Sequence, residues 1–178
     1  MNLEQMKELM DRPSREHSDL IAAAAISNRQ TMLDLLTLAE NDEKPYNWRS
    51  TWALKIIAAQ NPEVLYPYQE KLCAMVRIDS DEKKVGNILK TLSFLPFHEN
   101  CATITIDPCL DLILKPGITA YIKAYAMQYL LIIAKAIPEL APEFERVVDE
   151  RLPSFEKNYL INQARNFQKT MRILIDSD

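Results

Sequence analysis

The stretch YNWRSTWALKIIAAQ places Trp48 and Trp52 four residues apart, with Arg49 and Lys55 beside them. Residues four apart share one face of a helix. Two indoles flanked by two cations can therefore form a platform that stacks on a planar group or grips an apolar anchor. Packing is the competing role, because large aromatics at helical spacing also fill seams between helices, and Ile56 and Ala59 continue the same face.

Other reactive constellations are sparse. The two histidines, His17 and His98, lie far apart in the chain, and no HExxH or Cys/His cluster offers a metal site. His98 and Cys101 stand three residues apart, but nothing in the sequence supplies an orienting group or an oxyanion hole. Cys73, Cys101 and Cys109 form no CxxC pair and are expected as free, mostly buried thiols. Two glycines in 178 residues exclude the P-loop and dinucleotide fingerprints, which need glycine for close backbone approach to phosphate. The expectation is a non-enzymatic chain with no cofactor and no metal. Tyr121, Lys123, Tyr125 and Gln128 are a secondary polar and aromatic group, with Tyr125 also suited to the core. In NYLINQARNFQKTMRIL, the amides and bases Asn162, Arg165, Asn166 and Lys169 alternate with an apolar stripe, as suits phosphate contacts or a solvated terminal helix.

These residues need helices to hold them. Two glycines against ten prolines disfavour tight hairpins. Pro13, Pro45, Pro62, Pro96, Pro116, Pro138 and Pro153 instead punctuate helical patterns, so the class reads as all-α. An apolar fraction of 48% with 26% charged residues suits one ordered domain spanning 1–178. The N-terminus lacks a basic stretch followed by an apolar run, and no long uncharged apolar segment occurs, so a soluble, cytoplasmic protein is expected.

Pro62-Glu63 and Pro138-Glu139 end two similar apolar helices at a separation of 76 residues. That is two periods of about 38, within the range of helical-pair solenoids. The pattern predicts helices at 2–11 and 14–26, followed by four pairs in repeats 28–61, 62–97, 98–137 and 138–175. First helices fall near 28–42, 63–78, 100–115 and 139–152; second helices fall near 46–60, 82–95, 118–136 and 155–174. Asn41-Asp42 and Asp79-Ser80-Asp81 are expected to cap the helices that follow them, and Pro116-Gly117 to stop one.

A first helix such as VLYPYQEKLCAMV, an acidic turn (DSD), and a second helix opening on a Val-Arg-like pair resemble the HEAT repeats of the armadillo/HEAT class. Trp48-Arg49 and Ile122-Lys123 occupy that pair, with Trp52 and Ala126 four residues on. Val85-Gly86 departs from it. The resemblance implies an α-solenoid whose second helices line the concave face. Asn47–Trp52 also resembles a stretch of the HEAT-like alkylpurine DNA glycosylases, but Arg49 and Trp52 stand where that family carries aspartates, so its catalytic carboxylate is missing.

Charge separates by helix set. The first helices with their edges carry 6 bases and 15 acids, whereas the second helices carry 11 bases and 2 acids. The net charge of −4 conceals this. Joined to the resemblance, the split implies a basic groove for a protein partner or acidic segment, with nucleic acid as the alternative. The competing account is that neighbouring helices neutralise one another. The candidate groove set is Trp48, Arg49, Trp52, Lys55, Lys83, Lys84, Asn87, Lys90, Lys123, Arg165 and Lys169.

Overall fold

A computed structural model describes residues 1–177 and shows ten α-helices and no strand among them. Contacts divide the chain into two compact units, one of Met1–Met75 with Asp79–Leu95, the other of Val76–Ile78 with the chain from Pro96 onward.

The first unit contains α1 (Leu3–Asp11), α2 (Arg15–Ser27), α3 (Arg29–Glu40), α4 (Tyr46–Gln60), α5 (Gln69–Cys73) and α6 (Glu82–Leu92). Helix starts are fixed by side-chain oxygens that accept otherwise unbonded first-turn amides. Asn2 and Gln5 form a reciprocal capping box, Ser14 caps α2 and Asn28 caps α3. Asp81 caps α6 by accepting from the amides of Lys83 and Lys84, as its sequence position predicts. The expected cap at Asn41-Asp42 is not made. Lys44 and Pro45 intervene, the cap position falls on Pro45, which has no side-chain acceptor, and the Asn47 amide bonds Glu43 O instead.

The span expected as one helix over 63–78 is shorter and broken. Residues 62–68 form a 3-10 segment and only Gln69–Cys73 is α-helical. Pro62 and Pro67 cause this, since each lacks an amide donor and crowds the preceding turn.

α4 is central to its unit. It packs against α2 and α3 and also against α6. Leu54 and Ile57 are fully buried, as are Ser50 and Thr51, so burial extends around most of the helix. The small polar groups are satisfied locally: Ser50 Oγ donates to Tyr46 O at 2.6 Å and Thr51 Oγ1 to Trp48 O at 2.8 Å. Buried hydroxyls bonded to their own helix avoid the cost of an unmet donor.

The second unit contains α7 (Glu99–Leu114), α8 (Ala120–Ala136), α9 (Ala141–Arg151) and α10 (Asn158–Ile175). α8 packs on α7 and α10, and α10 packs on α9. Phe144, Phe167, Leu130, Ile133 and Met171 form its core. Each such side chain, fully buried, contributes ~1.5–3 kcal/mol. Pro116-Gly117 breaks the chain between α7 and α8, and Gly117 adopts φ 81°, which a side chain would oppose. All three cysteines are free and buried, and burial pushes the Cys109 thiol pKa up.

Candidate functional site

α4 and α6 pack side by side and bring seven of the expected residues into one region of the first unit. Trp48 and Trp52 are both partly exposed, and neither belongs to the buried core. Cations approach the Trp48 ring from two residues: Lys83 Nζ lies 4.7 Å from its centroid and the Arg49 guanidinium 5.2 Å. Such contacts contribute ~0.5–1 kcal/mol each at exposed sites. They also hold the indole in a fixed orientation.

Asn87 links the two helices. Its amide nitrogen donates to Trp48 O and Thr51 Oγ1, both at 3.3 Å, while its oxygen accepts from Lys55 Nζ at 2.9 Å. Lys55 is half-buried and, among the described residues, makes no ion pair. Burial, and then the positive charges of Arg15 and Lys90, push its ammonium pKa below the ordinary lysine value. Lys90 Nζ lies 5.3 Å from the ring of the exposed Phe94.

Arg15 escaped the sequence reading because it belongs to α2, before the first expected repeat. It pairs with Asp19 four residues on, at 2.9 Å. No local motif marks it, and only the packing of α2 on α4 brings its charge to bear on Lys55.

Three of the expected bases serve the backbone. Arg49 Nη1 donates to Met10 O near the end of α1. Lys84, 3% exposed, donates to Glu40 O at 3.1 Å and pairs with Asp42 at 3.4 Å, tying α6 to the chain just beyond α3. In the second unit Lys123, 6% exposed, donates to Leu112 O, Ile113 O and Lys115 O at 3.1, 2.5 and 2.7 Å. Its ammonium thus closes the C-terminus of α7, where carbonyls lack helical partners. Arg165 and Lys169 lie exposed on α10, one turn apart.

The charge split is only partly neutralised. Lys84–Asp42 and Arg172–Glu145 join the two helix sets. Arg49, Lys55, Lys83, Lys135, Lys157, Arg165 and Lys169 make no ion pair among the described residues. No group of three or more His, Cys, Asp or Glu side chains among them could hold a metal, and no helix is long and apolar enough to cross a membrane.

Paired helices of this order and spacing, stacked through apolar seams, match the model of the HEAT repeat domain over residues 5–171. This chain belongs to the HEAT repeat family. No curated protein and no solved structure matches it. Its HEAT repeats confirm the all-α, helical-repeat class expected from the 38-residue period, and repeats of this kind are typically protein-interaction scaffolds.

Proposed function

We propose that this HEAT repeat protein is a non-catalytic scaffold whose first unit binds an acidic protein segment through the α4–α6 surface. Lys55 carries the proposal: a half-buried ammonium without a carboxylate partner, its charge opposed by Arg15 and Lys90. An arriving carboxylate relieves that repulsion, so the surface is more stable occupied by an anion than bare. Trp48 and Trp52 supply partly exposed aromatic area next to the charge, the composition favoured at the centres of protein interfaces. Lys83 lies over the Trp48 ring and can turn from it to the ligand.

In this reading Lys55, Lys83 and Lys90 contact the ligand, Asn87 positions Lys55, and Arg49 and Lys84 hold the surface in shape. Duplex DNA is the alternative occupant. Arg49 is bonded to Met10 O at a position where the glycosylase resemblance would need a carboxylate, which supports binding without base-excision chemistry.

The test is an NMR titration of the 15N-labelled protein with a Glu/Asp-rich peptide carrying one aromatic residue. Saturable shifts in the indole N–H signals of Trp48 and Trp52 and in α6 amides are expected. Shifts confined to other surfaces would overturn the assignment.

A further inference from the structure

The second unit contains a cavity of about 500 Å³ between the start of α8, the end of α9 and the start of α10. Gly117, Ile118, Ala120, Arg151, Phe155 and Lys157 line it. Its volume lies in the range of small-molecule pockets, ~300–1,000 Å³.

The Arg151 side chain makes no ion pair or hydrogen bond among the described residues, and its Nε is buried without a partner. A buried guanidinium donor left unmet costs ~1–3 kcal/mol or more. Arg151 is therefore a forked donor lacking an acceptor, and oxyanions fit that fork. Lys157 adds an exposed cation with no ion pair. Lys123 also lines the cavity, but its ammonium is committed to the carbonyls of α7. Glu156 supplies one opposing carboxylate.

The helix starts reinforce this charge. Lys157 occupies the cap position of the 18-residue α10 and offers no side-chain acceptor, so the amides of Asn158 and Tyr159 donate to nothing within the chain. The 17-residue α8 begins on the same cavity at Ala120. Long helices carry partial positive charge at these ends. Ile118, Phe155 and Leu160 provide apolar wall beside the cations.

We infer that this cavity binds the phosphomonoester group of a small molecule, with Arg151 as the forked donor, the α10 amides as a second cradle and the apolar wall receiving the ester. The site lies wholly in the second unit and is independent of the acidic-segment surface on α4 and α6.

The experiment is an amide-resolved NMR titration with inorganic phosphate and with phenyl phosphate, at constant ionic strength maintained with sodium chloride. Both ligands should shift the Asn158 and Tyr159 amides saturably, phenyl phosphate binding several-fold tighter because of the apolar wall. Arg151→Gln should weaken phenyl phosphate by about tenfold or more, the worth of a charge-assisted hydrogen bond. Shifts that merely follow ionic strength overturn the site, as does unchanged affinity in Arg151→Gln. Equal affinity for the two ligands overturns the ester assignment. If Arg151→Gln does not fold, the exposed Lys157→Gln decides: several-fold weaker binding supports the site and no change rejects it.

Discussion

Lys55 donates to Asn87 Oδ1 across 2.9 Å and, among the described residues, meets no carboxylate. A lysine held by a neutral amide between two other cationic side chains retains its charge against both burial and repulsion. Asn87 holds it there because its own amide group is fixed by Trp48 O and Thr51 Oγ1 on the facing helix.

The first expectation concerns that ammonium. Its pKa lies below the ordinary lysine value, through burial first and then Arg15 and Lys90. A lowered folded pKa means the unfolded chain binds this proton more readily, so stability rises with pH from the folded value to the unfolded one. NMR titration of the Lys55 side chain should show the lowered midpoint, and saturation with an acidic peptide should raise it. A midpoint unmoved by the peptide would contradict direct contact.

Lys123 should behave as a structural residue. Lys123→Met leaves three carbonyls of α7 without their donor, and a lost buried partner costs ~1–3 kcal/mol. Urea denaturation should show a loss of about 2–3 kcal/mol, while affinity for the acidic peptide stays unchanged.

Asp81 links a helix cap to pH. Burial disfavours its carboxylate, but the bond from Lys44 and the amides of Lys83 and Lys84 outweigh it and lower the pKa. A lowered carboxylate pKa contributes stability above the unfolded value that is lost as pH falls through the folded one. Asp81→Ala should cost ~1 kcal/mol at neutral pH as a lost N-cap, and denaturation across acid pH should show a shallower decline than in the unmodified protein.

The core should respond through cavity formation. Leu54 on α4 and Phe144 on α9 are both fully buried. Leu54→Ala should lose about 2–5 kcal/mol and Phe144→Ala about 3–5 kcal/mol, both measurable by denaturant unfolding.

The helix order was legible because prolines and apolar periodicity encode it locally: α4 begins and ends where the stretch from Tyr46 to Gln60 predicts. The broken segment at 62–68 was less legible, since two prolines can begin an α-helix or hold a 3-10 turn and only the surrounding packing selects between them. Trp48 and Trp52 were readable as neighbours on one face. The roles of the bases were not, because a long lysine stem reaches backbone carbonyls far away in sequence. Lys84 bonds Glu40 O and Lys123 bonds Leu112 O, contacts that no count of charges by helix can reveal. Arg15 shows the converse, an unremarkable residue whose charge reaches Lys55 through packing.

The central claim is tested most directly by fluorescence anisotropy of a labelled acidic peptide and a labelled DNA duplex, each at low and physiological salt. The unmodified protein is compared with Lys55→Glu/Lys83→Glu/Lys90→Glu. Saturable peptide binding that persists at physiological salt, is at least tenfold weaker in the triple variant, and exceeds duplex binding is the predicted result. Duplex binding that is the tighter of the two and falls by ~0.9 log units per log unit of salt for each phosphate contacted would contradict the acidic-segment reading and assign the surface to nucleic acid. Peptide binding unchanged in the triple variant would contradict any role for the α4–α6 surface.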